Sequence, residues 1–196
     1  MPVSDGLFLT FKHCPLSQCN ILSRPTLALR HQNNMTSKPP FSIRTATLED
    51  AQSIANFNIN MARETENMRL KPEVILAGAR RLISDNTLGY YLVAETDNQI
   101  IGSLMVTTEW SDWRNGQFWW IQSVYVIPEW RRKGLYRSLY QKVKSLAENN
   151  DNICGFRLYV EKENTVAQST YDNVGMGETH YKLYEELKPG IQFTEE

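Results

Sequence analysis

Hydrophobic and polar positions change period along the chain, and the changes mark its elements. Phe41–Thr47 alternates and is rich in β-branched residues, which predicts a first strand. Thr47 followed three residues later by Asp50 is a capping box, and it opens a helix with Ile54, Phe57 and Met61 at helical spacing. Lys71-Pro72-Glu73 starts a second helix, whose apolar stripe is Val74, Ile75, Gly78, Leu82 and Ile83. Leu88–Thr96 and Gln99–Glu109 read as antiparallel strands joined by a tight turn at Asp97-Asn98. Trp110–Gly116 reads as a polar, aromatic hairpin loop, and Gln117–Ile127 as a long strand. Trp119 and Trp120 are neighbours on that strand and must face opposite ways. Lys133–Asn149 is an amphipathic helix with Leu135, Leu139, Val143 and Leu146 on one face. Ile153–Val160 is a strand, Asn164–Val174 a short helix capped by Asn164 and closed by Gly175, and Thr179–Leu187 alternates as a last strand. The order β-α-α-β-β-β-α-β-α-β predicts an α/β (α+β) domain over residues 41–196, built on a mixed sheet.

Residues 1–40 break this regularity. They hold Pro2, Pro15, Pro25, Pro39 and Pro40, a Gln32-Asn33-Asn34 cluster, and no sustained period. The stretch reads as a disordered or weakly ordered extension. Its scarcity of acids suits a transit peptide, but the amphipathic helix pattern is missing, and initiation at Met35 is a plainer alternative. Across all 196 residues, hydrophobic content is 41% and charged content 22%, an ordinary globular balance for one domain. Net charge is −1, and because Lys12, Arg24, Arg30 and Lys38 face only Asp5 before residue 41, the remainder carries −4. That balance argues against a broad nucleic-acid surface. No apolar run is long enough to cross a bilayer, so no membrane partner is expected. Cys14, Cys19 and Cys154 form no CxxC, and His13, His31 and His180 are scattered. No metal site is expected, and a reducing, cytoplasmic compartment fits best.

Chemistry concentrates where the long strand ends. Ser123-Val-Tyr-Val-Ile-Pro-Glu-Trp-Arg131-Arg-Lys-Gly134-Leu-Tyr-Arg-Ser138 reads as strand, basic loop and helix start. Pro128 discourages continuation of the strand, and Gly134 permits a tight closure of the loop. The unpaired N–H groups of the following helix face back toward the loop and favour an anion, aided by Arg131, Arg132 and Lys133. Taken alone, those three basic residues could equally be a solvated charge run. A second set, Asn164, Ala167 and Tyr171, shares a face of the next helix. A β-α-β connection brings both helix starts to the same edge of the sheet, within reach of one ligand.

Together the two motifs resemble the GCN5-related N-acetyltransferase (GNAT) family. The family's Gln/Arg-x-x-Gly-x-Gly/Ala loop corresponds to Arg131-Arg-Lys-Gly134-Leu-Tyr136, and its Asn-x-x-Ala-x-x-x-Tyr-x-x-x-Gly-Phe motif to Asn164 through Met176. Tyr136 stands where a small residue is usual, which hinders close approach of a phosphate unless its ring points along the helix toward the core. Met176 replaces an aromatic.

The resemblance implies a mostly antiparallel mixed sheet flanked by helices on both faces, with acetyl-CoA bound where the long strand parts from the next one. It implies pyrophosphate contacts from Arg131, Arg132, Lys133, Gly134, Leu135, Tyr136 and Arg137. The amide-rich pantetheine arm would pair like an added strand with Val124 and Val126, and Asn164 would contact it. An acceptor amine would attack the thioester directly, the Val124 N–H would serve the oxyanion, and Tyr171 would protonate the leaving thiolate. Tyr171 could also be an ordinary core tyrosine, and Asn164 only a helix cap. The acceptor would be a small-molecule or peptide amine. Glu64, Glu66, Glu109 and Asp112 are its candidate carboxylate partners, although each taken alone is more readily a solvated surface residue. The alternatives are a CoA-binding regulatory module without catalysis and transfer from another acyl-CoA. Exposed aromatics in the late strands make a homodimer reasonable.

Overall fold

The computed structural model describes residues 40–97 and 99–195. The N-terminal extension, apart from Pro40, and the turn residue Asn98 fall outside the described residues, together with the expectations made for them.

Five strands form one sheet in the order β1-β2-β3-β4-β5: β1 (Ser42–Thr45), β2 (Tyr90–Thr96), β3 (Gln99–Ser111), β4 (Gly116–Val126) and β5 (Ile153–Arg157). The first three pairings are antiparallel and β4–β5 is parallel, the mixed and mostly antiparallel sheet that was expected. The helices are α1 (Ala51–Glu66), α2 (Pro72–Ser84), α3 (Leu135–Ala147) and α4 (Thr165–Asp172).

Burial divides the sheet into two apolar layers. On one face, Leu135, Leu139 and Val143 of α3 pack on Leu92, Ala94, Leu104, Val106, Trp119 and Ile121. Each fully buried Leu or Val of this layer contributes roughly 1.5–3 kcal/mol. On the other face, Ile54 of α1 and Ala79 of α2 pack on Tyr91 and Val93. Trp119 is buried in the α3 layer while Trp120 lies on the opposite face, as the strand period requires. The expected stripe of α2 is displaced: its deepest residue is Ala79, and Val74 is exposed.

The α1 start is built as read from the sequence. The Asp50 carboxylate accepts from the Thr47 N–H at 2.7 Å and takes a bidentate pair from Arg44 at 2.6 and 3.0 Å. Arg44 also donates to Glu95 at 2.9 Å, tying β1, β2 and α1 together.

One element departs from expectation. Thr179–Leu187 joins no sheet; residues 177–190 are exposed throughout. Beyond them, the Lys71 N–H donates to the Phe193 carbonyl at 2.8 Å and the Glu195 N–H to the Arg69 carbonyl at 2.8 Å. An alternating pattern does not choose its partner, and among the described residues the outer edge of β5 takes no strand.

Candidate active site

The site starts from a mismatch in strand length. β4 pairs with β3 from Gly116 to Val126, but with β5 only from Gln117 to Trp120. Beyond Trp120 the two strands part, and one side of β4 has no strand neighbour. Within that free stretch the β3–β4 register slips between Ser103 and Met105, so Leu104 faces two residues, Ser123 and Val124. Ser123 takes φ 48°, the left-handed conformation of a β-bulge. A bulge leaves backbone groups without ladder partners and re-aims them. The Ile127 N–H goes to the Ile101 carbonyl of β3, so by alternation the polar groups of Val126 point away from β3. Its carbonyl accepts from Arg131 Nε at 2.9 Å.

The loop after β4 closes tightly. Arg132 has φ 62° and Gly134 φ 78°, so two left-handed residues flank Lys133. A Cβ on Gly134 would meet nothing within 4 Å; conformation, not space, calls for glycine here. Among the described residues, the amides of Arg132, Lys133 and Gly134 donate to no protein group. They adjoin the unpaired first-turn amides of Leu135, Tyr136 and Arg137. Such a concave run of N–H groups is suited to an anion.

Tyr136 does not obstruct the loop. Its ring stacks on Tyr140 at 6.1 Å and meets Tyr171 edge-on at 5.4 Å, so it points into an aromatic cluster between α3 and α4. Burial pushes its hydroxyl pKa well up. Tyr171 is half-buried in the same cluster, and burial raises its pKa above the ordinary phenol value. The proton is therefore retained at neutral pH. Asn164 caps α4: its Oδ1 accepts from the Ala167 N–H at 3.1 Å, and its Nδ2 donates to no protein group among the described residues.

Of the four carboxylates, Glu64 joins the site, Glu109 is paired elsewhere on the same sheet face, and the other two lie apart. Glu64, near the end of α1, accepts from the Tyr125 hydroxyl at 2.8 Å and pairs with Arg131 at 2.7 Å. Partial burial pulls its pKa up, but the hydrogen bonds from Arg131 and Tyr125 outweigh this and hold it below the usual carboxylate value. It lines a cavity of about 180 Å³ with Met61, Thr65, Val124, Tyr125, Val126 and Arg131. Glu109 lies on the same face of the sheet, accepting from Trp120 Nε1 and pairing with Arg157 at 2.7 Å. Arg157 in turn lies 3.8 Å over the Phe118 ring. Glu66 is exposed and makes no side-chain contact with the site, and Asp112 accepts from the Trp113 N–H at 2.8 Å within its own turn. A larger hollow of about 580 Å³, beside Arg44 and Asp50, is lined by none of the candidate catalytic, cofactor or acceptor residues.

The bulge at Ser123, the Tyr125 hydroxyl contact to Glu64 and the placement of Arg157 escaped the sequence reading, although Ser123–Val126 was expected as the docking edge. Arg157 had a signal: it is the one charged side chain within Ile153–Arg157. The bulge had none, because serine is an ordinary strand residue.

Among the described residues, no group of three or more His, Cys, Asp or Glu side chains could hold a metal ion, and no helix is long and apolar enough to cross a membrane. The acetyltransferase (GNAT) family model matches residues 51–176, which spans the parted strands, the loop and α4. The chain belongs to the GNAT acetyltransferase family. It is 44% identical to a possible acetyltransferase from Clostridium difficile 630, over 76% of this chain and 97% of that one, with a TM-score of 0.71. It shares its fold with the aminoglycoside N-acetyltransferase AAC(6')-Iy in complex with CoA, at 14% identity, 76% and 95% coverage and a TM-score of 0.64. A ribosomal-protein-alanine N-acetyltransferase from Brucella melitensis biovar Abortus 2308 is likewise similar in fold, at 16% identity, 76% and 99% coverage and a TM-score of 0.61. No curated protein matches this chain. As a GNAT acetyltransferase, the protein is an enzyme of acetyl transfer.

Proposed function

We propose that the chain transfers the acetyl group of acetyl-CoA to a primary amine of a small molecule or peptide, by direct attack on the thioester. The observation that carries this reading is the parting of β4 from β5 beyond Trp120, with the bulge at Ser123 and the open amides after Arg131 in line with it. These residues fit the donor. The amides of Arg132, Lys133, Gly134, Leu135, Tyr136 and Arg137 hold the pyrophosphate, with charge from Arg131, Arg132 and Lys133. Val124 and Val126 offer backbone groups to the amides of the arm as an added strand would. Asn164 donates from Nδ2 while Oδ1 caps its helix. Acetyl-CoA supplies an activated acyl group and a thiolate leaving group.

The chain's own residues divide the remaining work. The Val124 N–H, next to the bulge, stabilises negative charge developing on the carbonyl oxygen. Tyr171 keeps its proton through the neutral range and gives it to the departing sulfur. Glu64, held ionised, draws a cationic acceptor toward the cavity beside Val124. A lysine-like amine must shed a proton before it attacks, at a cost of roughly 4–5 kcal/mol at pH 7. Relatives of this fold carry names as different as aminoglycoside and ribosomal-protein-alanine acetyltransferase, so the fold does not select the acceptor.

The test is thiol release from acetyl-CoA across a panel of amines, polyamines, amino acids and peptides, with calorimetry for donor binding. Tyr171→Phe should cut turnover about 10²-fold or more while acetyl-CoA affinity stays unchanged. Unchanged turnover would sink the acid role. Binding of acetyl-CoA without release against any acceptor would favour a regulatory CoA-binding module. A faster reaction with a longer acyl-CoA would reassign the donor.

A further inference from the structure

We infer that Tyr136 is a positioning residue for Tyr171: its ring holds the acid in place, and its hydroxyl hydrogen-bonds the Tyr171 phenolate that forms when the proton leaves for sulfur. The inference rests on the reading of Tyr171 as the acid. It starts from a departure. Where the family's loop carries a small residue, this chain carries a tyrosine, and the side chain turns away from the loop toward α4.

α4 has little else to fix its free face. It is eight residues long, none of them is buried, and it bears Tyr171 with Asn164 as its cap. A line of rings ties it to the sheet. Trp119 of β4 meets Phe156 of β5 at 6.5 Å, and Phe156 meets Tyr140 of α3 at 5.7 Å. Tyr140 stacks within 4° of parallel on Tyr136, which meets Tyr171 edge-on. Trp119 and Tyr140 are buried, so the inner part of the line is fixed. Edge-on and offset contacts of this kind are the favoured aromatic geometries. Among the described residues, Tyr136 is the one aromatic ring against Tyr171.

The ring does not by itself account for a tyrosine. Phenylalanine would make the same ring contacts without burying an oxygen. The Tyr136 hydroxyl is buried, and no protein group among the described residues bonds it. Such an orphan costs stability until a partner appears. Tyr171 is close enough for its charge to act there: after burial, it is the next cause that pushes the Tyr136 pKa up. In turnover the thioester C–S bond breaks, the electron pair stays on sulfur, and the Tyr171 O–H gives sulfur its proton. Tyr171 is left as a phenolate where burial disfavours that charge. The Tyr136 hydroxyl then has an acceptor and donates to it while keeping its own proton. The bond forms only as charge develops on Tyr171, so it acts on turnover and not on donor binding.

The experiment is a double-mutant cycle of Tyr136→Phe and Tyr171→Phe. It reads kcat for thiol release from acetyl-CoA to the fastest acceptor of the amine panel, water included, with calorimetric donor affinity and urea unfolding. Tyr136→Phe should lower kcat about 10-fold or more at unchanged donor affinity, with a fold no less stable. In the Tyr171→Phe chain the same change should leave kcat as it was, because no phenolate forms. Tyr136→Ala should lower kcat further than Tyr136→Phe, since the ring's hold is lost as well. Tyr90→Phe is the control: its hydroxyl is also buried without a partner, but its ring lies at the other end of the line, against Trp119 at 5.7 Å. It should leave kcat unchanged. Full kcat in Tyr136→Phe overturns the inference, and so does an equal fall in Tyr90→Phe or an undiminished effect of Tyr136→Phe in the Tyr171→Phe chain. Unchanged kcat in Tyr171→Phe alone overturns the acid reading and this inference with it. A lowered kcat there beside full kcat in Tyr136→Phe overturns this inference alone.

Discussion

Two side chains of the site each do more than one thing, and the atoms involved can be separated. Asn164 spends Oδ1 on the Ala167 N–H and leaves Nδ2 unused by the protein. Asn164→Asp keeps an acceptor for the cap and removes the donor, whereas Asn164→Ala removes both. The alanine variant should lose about 1 kcal/mol of stability, the aspartate variant almost none, and both should bind acetyl-CoA more weakly. Thermal unfolding and calorimetry on the pair check this; an aspartate variant with undiminished affinity would leave Asn164 as a cap alone. Tyr171 invites a pH test. Burial disfavours its phenolate, so its pKa lies above 10 and the acid stays loaded as pH rises through 7 to 9. The alkaline fall of kcat should therefore begin above pH 10, and Glu64, held below the usual carboxylate value, should produce no acidic limb near neutrality. An alkaline limb centred below 9 would contradict the assignment.

β4 and the loop after it carry most of the site, and they also show what a sequence reveals and what it hides. Gly134 and the basic run were legible because a left-handed residue before a helix needs glycine. Gly134→Ala should cost about 1 kcal/mol in unfolding free energy through its φ of 78° alone, and should weaken acetyl-CoA binding more than it weakens the fold. Equal binding by calorimetry would mean the loop does not hold the pyrophosphate. The α3 face, Leu135, Leu139 and Val143, was equally plain from its spacing, and these residues are fully or almost fully buried. The bulge was hidden, because Ser123 adopts φ 48° under the pull of the β3–β4 register and not from any preference of its own. Tyr125 was hidden with it: its hydroxyl meets Glu64 across tertiary space, a contact 61 positions apart in sequence. The period at 179–187 predicts a strand that the structure does not form, because a period says nothing about which edge will take it. Pairing is a property of the neighbour, and the outer edge of β5 takes no strand within the described residues.

At the scale of the whole molecule, the Arg44, Asp50 and Glu95 cluster fastens the outer strand β1 to its neighbour β2 and to the α1 layer. α1 in turn carries Glu64 to the cavity, so the cluster supports the site from its far end. Asp50 is buried, and its pKa is held below the usual value, first by the Arg44 hydrogen bonds, against the upward pull of desolvation, and also by the Thr47 N–H. The sign of the linkage follows. A carboxyl whose pKa is depressed by folding contributes stability that is complete above its unfolded value near 4. That contribution is lost as pH falls through 4 toward the native value. Asp50→Asn keeps one acceptor for the Thr47 N–H but discards the charge that Arg44 faces. Because Arg44 is partly solvated, the loss at pH 7 should be roughly 1–3 kcal/mol, less than for a wholly buried pair. The wild-type chain should then lose stability more steeply than the variant between about pH 5 and 3, so the two curves converge in acid. Urea unfolding at a series of pH values measures both. Curves that stay parallel down to pH 3 would mean that the Asp50 charge does not hold β1 to the fold, and the support of α1 would have to be sought in the apolar layer of Ile54, Ala79 and Val93.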